Sequence, residues 1–209
     1  MKSYRLHLIR HGMTDANREG RYIGGGTDTP LSKEGRNELK NLYADYRYPR
    51  VPFVFSSPMK RCLESAEILF PHREIIALEN LREYDFGEFE NKTARELDGL
   101  PAYAAWASGQ MPAPPSGESS KDFTARTVLG LNEMIRIMME REEYEAAAVM
   151  HGGAIMMLLA ACGLPRQNPV EWTSENGMGY TIRITPSLYQ KTGAVEVISI
   201  VPTDGEDYE

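Results

Sequence analysis

Short apolar runs alternate with stretches of helical period along most of this chain. Tyr4 to Ile9 reads as a strand buried on at least one face. Ser32 is a helix N-cap, Glu34 sits in the first turn, and Leu39, Leu42, Tyr43 and Tyr46 recur at helical spacing, which predicts an amphipathic helix over 32–47. Val51 to Phe55 predicts a second strand. Ser57 and Pro58 then read as cap and first position of a helix with Cys62, Leu63, Ala66, Leu69 and Phe70 on its inner face. Glu74 to Leu78 predicts a third strand. Thr93 to Ala107 predicts short helices broken near Gly99-Leu100-Pro101, and the Pro- and Gly-rich 109–117 is irregular. A long helix follows from Ser119 to Glu143, with a core stripe of Phe123, Val128, Leu131, Ile135 and Met138. Ala146 to Met150 is a fourth strand. Ala154 to Cys162 is apolar all round, which predicts a buried helix, stopped by Gly163 and Pro165. Gly179 to Thr185 and Ala194 to Val201 are late strands, paired through a turn near Thr192-Gly193, and the acidic tail from Asp204 is expected to fray.

Three stretches escape this pattern. Asp15 to Gly20 is polar and turn-like. Gly24-Gly25-Gly26-Thr27-Asp28-Thr29-Pro30 is a loop whose backbone N–H groups could wrap an anion, although no Lys-Ser/Thr follows to make it a Walker loop. Leu81 to Glu90 is dense in carboxylates and aromatics without a clean period and reads as a functional loop. The alternation of strands and helices predicts an α/β fold, a mainly parallel sheet with helices on both faces in three layers. No linker divides the chain. The expectation is one domain over 1–209 with a lid-like insertion around 84–119.

Composition narrows the class. With 209 residues, 42% hydrophobic and 25% charged, the chain is long enough for one substantial core. A net charge of −7 argues against a nucleic-acid or anionic-membrane surface, yet leaves room for a local arginine cluster to bind an anionic metabolite. The only two cysteines, Cys62 and Cys162, lack CxxC spacing and read as free buried thiols of a reducing compartment. No signal-peptide pattern opens the chain and no apolar run spans a bilayer, so the expected location is the cytoplasm. Monomer and homodimer are both compatible with it.

The chemistry gathers at strand ends. Arg10-His11-Gly12 and His151-Gly152-Gly153 each close a predicted strand, and in a parallel sheet such ends share the edge where ligands bind. Arg61 lies in the first turn of a helix that follows a strand, where α/β folds place anion contacts. Bringing two arginines and two histidines to one edge is costly without an anion between them, and a phosphoryl group would balance that charge. Each residue alone has a plainer reading: a satisfied core histidine for His11 or His151, a surface helix position for Arg61, a turn residue for Asn17. His7 should face away from Leu6 and Leu8 in a structural role, His72 should be exposed, and Cys62 lacks the spacing of a thiol-phosphatase nucleophile. Tyr84, Phe86, Tyr103, Trp106 and Phe123 could line an apolar part of a pocket, with core packing the plainer reading for most.

Taken in order, Leu8-Ile9-Arg10-His11-Gly12-x-Thr14-x-x-Asn17, Ser56-Ser57-Pro58-x-x-Arg61, Leu81-x-Glu83-x-x-x-Gly87 and His151-Gly152-Gly153 resemble the histidine phosphatase superfamily, the family of cofactor-dependent phosphoglycerate mutases and related phosphatases. The resemblance spans essentially the whole chain and implies a phosphoglycerate mutase-like fold. It implies a catalytic set of His11, the nucleophile that becomes phosphohistidine, with Arg10, Arg61 and His151 on the phosphoryl oxygens and Glu83 as general acid and then base. Substrate contacts by Asn17, Gly152 and Gly24 are also implied, with no cofactor and no metal. The glycine loop is one residue longer than the usual family turn, a departure that bears on Gly24. The compact span from Gly87 to His151 and the segment Gly117-Glu118-Ser119 are similar to the phosphatase branch, which includes α-ribazole phosphatases. The expectation is therefore a phosphomonoesterase acting on a small phosphorylated metabolite. The alternatives are a mutase-type phosphotransferase, a metal-dependent hydrolase and a non-catalytic phospholigand sensor.

Overall fold

The computed structural model describes residues 2–204, so the predicted fraying beyond Asp204 lies outside the described residues. Seven strands form one sheet in the order β3-β2-β4-β1-β6-β7-β5. These are β1 (Tyr4–Arg10), β2 (Phe53–Ser56), β3 (Glu74–Ala77), β4 (Glu145–Met150), β5 (Gly163–Leu164), β6 (Gly179–Ile184) and β7 (Val195–Val201). β3, β2, β4 and β1 run parallel, while β6 is antiparallel to both β1 and β7.

The central strands are apolar on both faces because helices cover both. Leu6 and Leu8 of β1 and Ala146, Ala148 and Met150 of β4 point into one core, shared with α6 (Ser120–Glu140) and α7 (Gly152–Cys162). Ile9, Ala147 and Val149 point into the other, shared with α2 (Lys33–Asp45) and α3 (Lys60–Leu69). The alternation also puts His7 opposite Leu6 and Leu8. It is fully buried, and its ring nitrogens lie 2.9 Å from Thr181 Oγ1 and 3.0 Å from Glu145 Oε1. His72 is exposed in the loop after α3.

Several elements differ from expectation. The polar turn after Gly12 is a short helix, α1 (Asp15–Arg18), made by a capping box between Thr14 and Asn17. The turn expected between the last two strands is α8 (Pro186–Thr192), with Pro186 in its first turn and Gly193 as its left-handed cap at φ 67°. α3 starts at Lys60, two residues later than the Ser57-Pro58 signal implied. On α6, Thr127, Gly130 and Met134 are buried beside Phe123, Leu131 and Met138, whereas Val128 and Ile135 are only half-buried. The expected stripe wandered off the 3.6-residue period. Gly130 belongs inside because a Cβ there would stand 2.8 Å from Leu81 Cδ2, where the turn before Glu83 presses on the helix. The segment from 84 to 119 carries α4 (Ala94–Leu97) and α5 (Pro101–Ala107) and joins β3 to α6.

Candidate active site

Pairing of β1 with β4 in the register Arg10↔Met150 brings the next residues, His11 and His151, together at the carboxyl edge of the sheet. Their rings stand 5.2 Å apart, edge to face. The His11 ring is almost closed to solvent, at 5% exposure, and its Nδ1 lies 2.7 Å from its neighbour Gly12 O. A carbonyl only accepts, so Nδ1 carries the hydrogen and Nε2 keeps its lone pair. Burial and the positive charge of Arg61 together press the His11 pKa down to about 3, which holds the ring neutral through the physiological range. The backbone under it is pinned as well. Asn176 Nδ2 donates to His11 O at 2.7 Å, and Gly12 N donates to Ser65 Oγ, which itself donates to Arg61 O.

Arg61 enters from the first turn of α3 and is wholly buried. Its Nη1 donates to Thr27 O at 3.0 Å and its Nη2 to Gly24 O at 3.1 Å. Arg10 reaches across from β1 and donates through Nη1 to Ser174 O at 2.8 Å. The Nε of each guanidinium is buried and has no hydrogen-bond partner. Neither arginine makes a salt bridge among the described residues. Burial is the main force lowering both their pKa values, which still leaves them cations at neutral pH.

His151 is fully buried, with Nε2 2.8 Å from Ser57 Oγ and 3.5 Å from Cys62 Sγ. Ser57 therefore orients this imidazole, while Met59 holds the N-cap position of α3. His151's pKa is pushed well down by burial and then by Arg61. Glu83 approaches from the loop before α4. Its carboxylate accepts from Tyr84 N at 2.9 Å and Gly153 N at 3.0 Å. Burial raises its pKa against the pull of those two donors and of Arg61 and Arg10.

The predicted residues thus largely converge: Arg10, His11, Arg61, Glu83 and His151 meet at one edge. Asn17 sits in the α1 capping box with Oδ1 committed to Thr14 N, which leaves its amide N–H₂ end as the donor. Gly152 opens α7 under Arg10, where a Cβ would lie 3.2 Å from Arg10 Nε. Gly24 has a different place from the one expected. Its N–H is spent on Glu90 and its carbonyl holds Arg61, so it supports the pocket from behind. The aromatic side chains pack on one another: Tyr84 lies 5.0 Å from Phe86 and 5.3 Å from Phe123, and Trp106 stacks against Tyr84 and lies tilted against Tyr103.

Arg126 escaped the sequence reading. It donates to the carbonyls of Asn80, Arg82 and Glu83 and pairs with Glu118 at 2.8 Å, fixing the loop that carries Glu83. The arginine one turn beyond Phe123, near the core side of the helix, was the available signal. Glu118 is also the middle residue of the Gly117-Glu118-Ser119 segment. Tight packing extends to Gly153, whose added Cβ would come within 2.5 Å of Glu83 Oε1. Gly153→Ala is expected to displace the carboxyl group and lower kcat by about 100-fold, because misplacing a reacting group by about 1 Å costs that much. A near-wild-type kcat would show that Glu83 is not used where it stands.

Comparison with known proteins places this site. Residues 6–192 match the model of the histidine phosphatase superfamily, branch 1. The adenosylcobalamin/alpha-ribazole phosphatase of Salmonella typhimurium is 30% identical over 161 residues, covering 75% of this chain and 78% of that protein. The glucosyl-3-phosphoglycerate phosphatase of Mycolicibacterium vanbaalenii is 32% identical over 192 residues, covering 86% and 82%. The crystal structure of the alpha-ribazole phosphatase from Shigella flexneri superposes with a TM-score of 0.80 at 24% identity, over 98% of this chain and 99% of that one, a likeness of fold. The chain belongs to the histidine phosphatase superfamily and is a hydrolase of its phosphatase kind.

Proposed function

We propose that the chain hydrolyses a small neutral-bodied phosphomonoester, with His11 Nε2 as nucleophile and Glu83 as proton donor. The observation that carries this assignment is the pair of buried, unpartnered Nε–H groups on Arg10 and Arg61, beside a histidine whose lone pair is free. Buried donors are costly to leave unpaired, and a phosphoryl group supplies the missing acceptors. Nε2 attacks phosphorus as the ester P–O bond breaks, and Glu83 gives its proton to the departing oxygen. The Glu83 carboxylate then takes a proton from water, whose oxygen attacks phosphorus. The P–N bond breaks and neutral His11 is restored. The two guanidinium groups and His151 face the equatorial oxygens throughout. Glu83 must start protonated, and its raised pKa serves that need. Residues 84–119 act as the cover over the site, with one end tied down by Glu118 and Arg126.

The charge around the site favours a neutral leaving group. Arg18, Arg21, Arg82 and Arg126, the cations flanking the site, are each paired with a carboxylate already: Asp15, Glu19, Glu79 and Glu118. A second anionic group on the substrate, such as the carboxylate of a phosphoglycerate, would have to displace one of those carboxylates to gain any of these four cations. Among the described residues no three His, Cys, Asp or Glu side chains gather as a metal site, and no helix is long and apolar enough to cross a membrane. Two buried free cysteines suit a reducing cytoplasm.

Rapid quench during turnover of p-nitrophenyl phosphate in EDTA should trap an acid-labile, base-stable phosphate on the protein. Nucleoside monophosphates, whose nucleoside body carries no charge, should exceed 3-phosphoglycerate in kcat/KM by about tenfold or more, the value of roughly one unpaired buried charge. Isomerisation of 3-phosphoglycerate outpacing phosphate release would overturn the hydrolase reading, and loss of activity in EDTA would overturn the metal-free one.

A further inference from the structure

The glycine loop has the anion-wrapping geometry that its sequence suggested, but the anion is internal. Gly24 N donates to Glu90 Oε2 at 3.0 Å and Gly26 N to Glu90 Oε1 at 3.1 Å. Thr27 Oγ1 adds a 2.6 Å hydrogen bond, and Phe86 N a fourth at 3.2 Å. A carboxylate receiving four donors fixes the loop's conformation far more tightly than turn propensity does. With the N–H groups turned toward Glu90, the carbonyls of the same loop face the other way. Those of Gly24 and Thr27 hold Arg61, and that of Gly25 accepts from Arg82 at 2.6 Å. The loop also lies directly on the backbone that carries the proton donor. Gly25 N donates to Tyr84 O, and a Cβ on Gly24 would fall within 1.9 Å of that oxygen.

We infer that Glu90 is a positioning residue: by closing the glycine loop around its carboxylate it aims Arg61 at the phosphoryl group and holds the Glu83 segment beside it. Both Nη groups of Arg61 are occupied by loop carbonyls, so the direction of its free Nε is set by the loop and, through the loop, by Glu90. Glycine is required at 24 and 25 because side chains there would collide with residues 83–86, and at 26 a Cβ would press on Glu90 itself, 3.2 Å from its Cγ.

The inference rests on the phosphatase reading of the site, and its test uses a readout that does not depend on turnover. Glu90→Gln keeps the size but presents an N–H₂ group to N–H donors. It should remain folded by circular dichroism and elute as the wild type does, yet bind orthovanadate about tenfold or more weakly, the usual scale for losing a residue that orients a binding group. Its kcat/KM should fall by about 100-fold. Glu90→Asp should recover part of that loss. In Glu90→Ala, added formate should restore activity by entering the emptied cradle, while chloride at equal ionic strength should not. A folded Glu90→Gln protein that binds vanadate within twofold of wild type would overturn the inference, and so would a Glu90→Ala deficit that formate leaves unchanged. If Glu90→Ala does not fold, the vanadate comparison on Glu90→Gln decides alone. Wild-type protein that binds vanadate but turns over no phosphomonoester would instead refute the phosphatase reading, leaving the vanadate comparison intact.

Discussion

Replacing His11 by alanine is expected to abolish turnover and, with it, the acid-labile phosphate. The loss should be on the order of 10⁵-fold, the scale on which removal of a covalent nucleophile acts. Three features of the site make the effect this large. The ring is held in one tautomer by the hydrogen bond to Gly12 O, so the attacking nitrogen needs no rearrangement. Its pKa of about 3 means that the neutral form is already present at any working pH, and activity should show no acid limb from His11 above pH ~4. His151 cannot take over, since its Nε2 is engaged by Ser57 Oγ at 2.8 Å. The expected alkaline limb belongs to Glu83. In its proposed role it gives a proton only while protonated, so kcat should fall as pH rises through its raised pKa, and Glu83→Gln should remove that limb. The variant should stay folded, because the imidazole it loses makes one local hydrogen bond and no ion pair. Full labelling and turnover by folded His11→Ala protein would sink the mechanism.

What could be read in the chain were the features encoded by neighbours in sequence. Strand ends at Arg10 and Met150, the first-turn position of Arg61 and the apolar run of α7 all follow from local periodicity and turn chemistry, although α7 buries one face (Ala154, Ile155, Leu158, Leu159 and Cys162) rather than its whole circumference, and the parallel order then brings the two histidines together. What could not be read are partnerships across long separations. Ser57 looked like a helix cap because Ser-Ser-Pro is a strong local signal, yet its hydroxyl meets His151, 94 positions away. Asn176 fixes His11 across 165 positions, and nothing in Glu175-Asn176-Gly177 distinguishes it from an ordinary turn. The glycine loop was legible as an anion cradle, but whether the anion was a substrate or Glu90 depended on the chain folding back across a separation of 64 positions. The late helix α8 was the avoidable miss, since Pro186 and Gly193 bracket it with the proper start and stop residues.

Arg61→Ala is expected to cost about 10³-fold or more in kcat/KM, within the range found for arginines that neutralise a transferring phosphoryl group. The argument starts from where the charge sits. No part of Arg61 reaches solvent, and burial is the dominant force lowering its pKa, so a cation is held out of water with no carboxylate bonded to it. That arrangement stores electrostatic cost in the empty site and releases it when a dianionic phosphoryl group arrives. Alanine removes the cost together with the function. It also leaves the carbonyls of Gly24 and Thr27 without their donors, a penalty of about 1–3 kcal/mol for each buried acceptor that stays dry. Relief of the buried charge and loss of two hydrogen bonds oppose each other, so the melting temperature without ligand should change little compared with the activity. The discriminating measurement is the stabilisation by inorganic phosphate. Wild-type protein should melt higher as phosphate rises, following RT ln(1 + [L]/Kd), and the Arg61→Ala curve should be nearly flat over the same range. Lysine should rescue little, because an ammonium group cannot hold both loop carbonyls and still extend a third donor toward the phosphoryl oxygens at the angle of a guanidinium Nε. An Arg61→Lys variant with near-wild-type kcat/KM would show that charge alone suffices, and that the planar fork held by the glycine loop is dispensable.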